Sequence, residues 1–162
     1  MKQIPSVNLH NFLSDDVNIR LDFIQNIGKA YEDIGFVALK GHFLDQDLVD
    51  ELYAQVREFF SLPYETKSKY EVQGLAGQRG YTSFGKEHAK GRTTGDLKEF
   101  FHFGQHEPPT NGEEYPENVL VDESPAFNAV GQKTFAALEK TGCFVLRALA
   151  PVSYTHLTLP TN

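Results

Sequence analysis

Between Gly35 and Gly104 the chain alternates strand-like and helix-like signals. Residues 36–39 (FVAL) form a short apolar run, β-branched or aromatic at half its positions, and read as a buried strand. Asp45 or Asp47 can cap a following helix that carries Leu48, Val49, Leu52, Val56, Phe59 and Phe60 on one face. Pro63 ends that helix and can open a short further one through Lys69. Residues 74–80 (GLAGQRG) are a loop by composition. Residues 79–84 and 97–103 read as two strands with a polar loop between them.

The flanks continue the pattern. Residues 4–9 (IPSVNL) alternate in polarity and read as a short strand. Ser14, Asp15 and Asp16 offer helix caps, and Phe23, Ile24, Ile27, Tyr31 and Ile34 then recur at helical spacing. Gly35 stands where a C-terminal glycine ends such a helix. After a Pro-rich acidic connection at residues 107–118, Ser124-Pro125 is a good helix start. Phe127, Val130, Leu138, Val145 and Leu149 carry that helix to about Ala150.

Several function classes are disfavoured at once. A chain of 162 residues suffices for one domain with a modest core. Its net charge of −7 argues against a general nucleic-acid or anionic-membrane binder, which needs a basic face. Apolar runs fall far short of a membrane span, and the N-terminus lacks the apolar core of a signal peptide. Cys143 stands alone, so neither an internal disulfide nor a cysteine-based metal site can form; a reducing, cytoplasmic setting is expected. The 74–80 loop lacks both the G-x-G-x-x-G order and the Lys-Ser/Thr of a P-loop.

Taken in order, the blocks GFVALKGH, REFFSLP, ETKSKY, GQRGYTSF and GDLKEFFHFG resemble the N-terminal region of the non-haem iron(II), 2-oxoglutarate-dependent dioxygenases of the isopenicillin N synthase type. The resemblance covers roughly residues 3–150. It implies an α+β piece holding the helices and first strands of a double-stranded β-helix, or jelly roll, with the catalytic half missing. It further implies a parent enzyme that uses Fe(II) and 2-oxoglutarate to oxidise a small organic substrate. The competing class is a non-catalytic helical binding module.

The family holds iron with His-x-Asp plus a distant His, and grips 2-oxoglutarate with Arg-x-Ser. Two His and one carboxylate on one face of iron leave positions open for oxygen and cosubstrate. None of the six histidines here (His10, His42, His88, His102, His106, His156) is followed two residues later by Asp or Glu, and no Arg is so followed by Ser. Arg92-Thr93-Thr94 comes nearest but lies in a polar loop. No residue is therefore assigned to metal, cofactor or catalysis, and no cofactor is expected bound to this chain. His42 sits where the family usually has Asn-His-Gly-Ile, but in the run Lys40-Gly41-His42-Phe43-Leu44, which favours a turn.

The resemblance places Arg79-Gly80-Tyr81 at the mouth of the active site, making Arg79 and Tyr81 the candidate substrate-binding residues. Arg suits a carboxylate by bidentate pairing, and Tyr offers a hydroxyl beside an apolar face. The plainer account pairs Arg79 with an acid such as Asp96 or Glu99. The string at 97–103 is also open to a plain strand reading, with Leu97, Glu99, Phe101 and Phe103 on one face and Lys98, Phe100 and His102 on the other.

Residues 152–162 (VSYTHLTLPTN) are similar throughout to one reading frame of a transposase mosaic-end sequencing adapter, and Pro151 fits the codon that frame imposes. The expected organisation is therefore a dioxygenase N-terminal domain over residues 1–151 and an adapter-derived tail over 152–162. The alternative is a native strand, since THLTL alternates in polarity. An adapter-derived tail predicts that deleting 152–162 changes unfolding free energy by less than about 0.5 kcal/mol. A loss of about 1 kcal/mol or more in denaturant titration would make the tail part of the fold.

Overall fold

The computed structural model describes residues 3–88, 90–91, 94–105 and 115–152. The elements run β1 (Ser6–Asn8), α1 (Leu9–Phe12), α2 (Val17–Asp33), β2 (Ala38–Lys40), α3 (Gln46–Phe60), α4 (Tyr64–Lys67), a 3-10 turn (Ser68–Tyr70), β3 (Gly80–Thr82), β4 (Phe100–His102) and α5 (Pro125–Leu149). The chain divides into two compact units, Met1–Asp45 with Ala137–Asn162, and Gln46–Ala136. Among the described residues no helix is long and apolar enough to cross a membrane.

In the first unit β1 and β2 pair in parallel, Val7 opposite Leu39. Parallel pairing needs a crossover, which α2 supplies. Asp16 starts α2, its carboxylate accepting from the Asn18 N–H at 2.8 Å. Gly35 stops it: at φ +81° its N–H donates to the carbonyls of Ala30 and Tyr31. That left-handed backbone favours glycine. The core is Val7, Leu9, Phe23, Ile27 and Ala148, flanked by Phe12, Phe43 and Phe144.

Three local expectations shift. Residues 4–9 do not form one strand, because Asn8 turns helix cap, its side chain accepting from the His10 N–H, and Leu9 enters a one-turn helix. The second strand lies two residues later than FVAL suggests, leaving Phe36 68% exposed. Tyr31, although at helical spacing, is exposed, and Ala30 is the residue that α2 buries there.

In the second unit α3 inserts Phe59 into an aromatic cluster. Its ring stacks on Phe127 of α5 at 4.6 Å and 3°. Phe101 of β4 meets both rings edge-on, at 5.1 and 5.0 Å. Tyr70, Tyr81 and Val121 complete the cluster. Such offset and edge-on pairs add to the burial of apolar area itself. β3 and β4 form an antiparallel pair, Tyr81 opposite Phe101. The segment before α5 is held by Asn128, which donates to the Val121 carbonyl at 2.9 Å and accepts from its N–H at 2.8 Å.

Gly131 sits where α5 meets the Phe103 ring; a Cβ built there would lie 2.3 Å from two ring carbons. Alanine gains helix propensity of about 1 kcal/mol over glycine, whereas overpacking a fitted core costs about 1–3 kcal/mol. Phe103 is itself packed on Phe101 and Phe127 and has little room to yield. Gly131→Ala should therefore lower the thermal midpoint. A raised midpoint would show that the ring moves easily.

Candidate functional site

The β3–β4 pair has two faces because side chains alternate along a strand. Tyr81, Glu99, Phe101 and Phe103 turn inward; Leu97, expected with them, is fully out in solvent at 94% exposure. Tyr81 is only 2% exposed. Its hydroxyl donates to Glu99, and Lys67 of α4 donates to both Glu99 oxygens at 2.8 and 3.1 Å and to the Phe60 carbonyl at 3.0 Å. The Lys67 and Glu99 side chains are 8% and 17% exposed. The ammonium also lies 5.7 and 5.6 Å from the Phe60 and Tyr81 ring centres. Burial first, then the hydrogen bond to Glu99 and its charge, push the Tyr81 hydroxyl well above the ordinary phenol range, so it stays protonated and donates.

A buried pair of this kind is fragile to single removal. Leaving one charge buried without its partner costs about 3–5 kcal/mol, whereas removing both can be nearly neutral.

Around this hairpin three further contacts fix the loops. Arg79 donates from Nε to the Pro116 carbonyl at 3.1 Å and from Nη1 to its neighbour's, Gln78, at 2.7 Å. Its guanidinium lies flat against Gly104, where a Cβ would fall 1.9 Å from Cζ. Gly104 is in turn held by Asn118, which accepts from its N–H at 2.7 Å and donates to its carbonyl at 2.9 Å. The described partners of Arg79 are thus backbone carbonyls; neither Asp96 nor Glu99 is among them, and Glu99 belongs to Lys67 and Tyr81. Lastly, the His102 Nδ1 meets the Gly77 carbonyl at 2.5 Å, pinning the glycine-rich turn onto the outer face of β4.

Between that turn and β3 lies a cleft of about 430 Å³, lined by Glu71, Gly77, Tyr81, Thr82, Lys86 and Glu87 among others. Glu71 accepts from the Ser83 N–H at 3.0 Å and pairs with Lys86 at 3.5 Å. Burial pushes the Glu71 carboxyl up, but the Ser83 hydrogen bonds and the Lys86 charge outweigh it and hold the group below its ordinary value. Outside the cleft, Tyr70 donates to Glu123 and accepts from the Asp122 N–H at 3.0 Å, while Lys69 pairs with Glu123 at 3.0 Å. The Tyr70 and Lys69 hydrogen bonds hold Glu123 low as well.

The described residues do not fit an iron site: no three His, Cys, Asp or Glu side chains among them converge as a ligand set. His10 and His42 are exposed, His88 makes an isolated backbone bridge to Gly95, and His102 is engaged with Gly77. Gly41, before His42, is a left-handed turn at φ +64° packed on Asn8 and His10, in keeping with a turn at that place. His106, His156, Arg92 and Thr93 lie outside the described residues, as does the tail beyond Val152.

An α+β chain of this order, helices followed by an antiparallel pair and a long helix, is the architecture of the N-terminal half of the 2-oxoglutarate/Fe(II) oxygenases. A solved member from Caulobacter crescentus, a 2OG-Fe(II) oxygenase family protein, superposes with a TM-score of 0.77 at 34% identity, over 96% of this chain and 50% of that one. A Neurospora crassa protein solved in complex with alpha-KG and thymine gives 0.75 at 22% identity, over 94% and 49%, and shows the same fold. The family model described as non-haem dioxygenase in morphine synthesis, N-terminal, matches residues 4–123, and the chain belongs to that family. Among curated relatives, a homoarginine-6-hydroxylase of Arabidopsis thaliana is 33% identical over 56% of this chain and 29% of its own length. A proline hydroxylase of Petromyces alliaceus is 27% identical over 91% and 47%. The chain thus spans about half, or less, of these proteins.

This geometry is open to two tests. Lys67→Met should destabilise the chain by about 3 kcal/mol, and adding Glu99→Gln should recover most of the loss; simple additivity in urea titrations would dissolve the pairing. Glu71 and Glu123 titrate lower folded than unfolded, so the folded state binds fewer protons. Their stabilisation is full above the ordinary glutamate value of 4.5 and is lost as pH falls through the folded values. Glu71→Gln should flatten the decline in stability below about pH 4.5, and an unchanged pH profile would count against this assignment.

Proposed function

We propose that this chain is the N-terminal region of a 2-oxoglutarate- and Fe(II)-dependent dioxygenase that oxidises a small organic molecule. The family match across residues 4–123 carries the reading. Fe(II) and 2-oxoglutarate would be held by a part of the protein with His-x-Asp, a second His and Arg-x-Ser, a set that this sequence does not contain. The contribution of the present residues is to shape and dry the substrate side, which such chemistry requires of its protein. The acidic net charge and single cysteine favour a small-molecule substrate over nucleic acid or membrane, and a cytoplasmic setting.

Within that reading, Arg79 is the candidate for a substrate carboxylate and Tyr81 for its support. Arg79 already lies flat on glycine with its donors turned to acceptors, so a carboxylate could replace a carbonyl partner by bidentate pairing. Tyr81 acts from behind the strand, through Glu99. Residues 1–151 form the family's domain, and 152–162 are the adapter-like tail.

The deciding experiment extends the reading frame downstream in its source genome and assays the whole protein for succinate formation from 2-oxoglutarate with Fe(II). The expected continuation carries both motifs, and turnover depends on them. A continuation lacking them removes the proposal. The 162-residue chain, titrated anaerobically, should develop no metal-to-ligand charge-transfer band. In the whole enzyme, Arg79→Lys should raise the substrate KM while uncoupled 2-oxoglutarate turnover survives; an Arg79→Ala variant with unchanged KM and kcat would end the Arg79 assignment.

A further inference from the structure

Thr82 holds a buried hydroxyl that the fold itself leaves unused. The residue is 8% exposed, and its Oγ1 has no hydrogen-bond partner among the described residues. Leaving a buried polar group unpaired costs about 1–3 kcal/mol, so such groups need an explanation. Strand alternation supplies the geometry: Tyr81 faces the aromatic cluster, and Thr82, opposite Phe100 in the register, faces the other way, into the cleft. The Gly77 turn sits directly over the hydroxyl. A Cβ at Gly77 would lie 2.8 Å from Oγ1, and Gly77 and its neighbour Ala76 are both left-handed, at φ +75° and +47°.

The cleft's charges are already matched. Glu71 pairs with Lys86, and Glu87 pairs with Lys98 at 2.5 Å. Glu71 spends one oxygen on the Ser83 N–H. The hydroxyl can donate and accept at once, and the cleft lining also includes the apolar Val72 and Ala76. A volume of about 430 Å³ lies in the range of small-molecule sites.

We infer that Thr82 is the hydrogen-bonding anchor of a ligand site in this cleft, and that its ligand is a small neutral molecule with an amide-like donor and acceptor. The ligand reaches the hydroxyl by displacing the Gly77 turn, which breaks the contact between the Gly77 carbonyl and His102. The inference rests on the reading of this hairpin as the substrate side, yet binding to the chain needs no iron, so the two stand or fall in separate experiments.

The test is an NMR titration of the 162-residue chain with 2-piperidone, a neutral cyclic amide, alongside acetate and methylammonium. Saturable shifts confined to residues 72–87 are expected with 2-piperidone at millimolar concentration. Thr82→Ser should retain them, and the near-isosteric Thr82→Val should bind about ten-fold more weakly, the loss of one hydrogen bond. Thr82→Val should unfold at a temperature no lower than the unsubstituted chain, because the hydroxyl serves no partner in the fold. No saturable shift, equal binding by the valine variant, or tighter binding of either ion would overturn the inference. So would a clear fall in the midpoint of Thr82→Val, since it would give the hydroxyl a structural partner.

Discussion

The Lys67–Glu99 pair sets the terms on which the Gln46–Ala136 unit can exist. An ammonium and a carboxylate placed among Phe59, Phe60 and Tyr81 are tolerable only while every lone pair and proton around them is engaged. That requirement ties three separate pieces of chain to one point: the end of α3 through the Phe60 carbonyl, α4 through Lys67, and the hairpin through Tyr81 and Glu99. A one-residue slip of β4 against β3 would turn Glu99 to solvent and strand the lysine. The pair therefore specifies register more than it stabilises, which is what a hairpin of three-residue strands lacks by itself.

Much of this could be read from the residues, and the exceptions have physical causes. The helices were legible because their signals are local: Asp16 before α2, Gly35 after it, Pro63 after α3 and Ser124-Pro125 before α5 stand where the caps and breaks fall. Three strands were legible in place but too long, and β2 lies later than its apolar run, because at three residues each they end where backbone pairing ends and not where hydrophobicity does. Asn8 was read as a strand residue, and the strand stops there because its side chain takes the His10 N–H and caps α1. Glu99 carried a usable signal: a charged residue alternating with Phe101 and Phe103 on one face implies a buried partner. Naming Lys67 as that partner needed the third dimension, since the two are far apart in sequence. Thr82 gave no sequence signal at all, because nothing in a Tyr-Thr-Ser run says which hydroxyl will be left unbonded.

Family membership explains the overall plan and leaves the particulars to this chain. The R-G-Y segment leads into the β3–β4 hairpin, and the two residues that the resemblance singled out have different surroundings. Tyr81 is sealed in the aromatic cluster, while Arg79 lies on the loop side against Gly104. The distinction follows from β-strand alternation and from the glycine that lets the guanidinium lie flat.

The parallel pairing of β1 with β2 has a consequence for the order of assembly. Antiparallel neighbours can zip from a tight turn, but these strands are joined by a crossover that contains all of α2. Closing so long a loop before it is ordered is entropically unfavourable, whereas a helix of local contacts forms on the submicrosecond to microsecond scale. The strands of the first unit are thus bound to meet late, once α2 has shortened the path between them. Their six residues then act as a latch on a helix already made, and the slow step in this unit is the non-local closing of the latch.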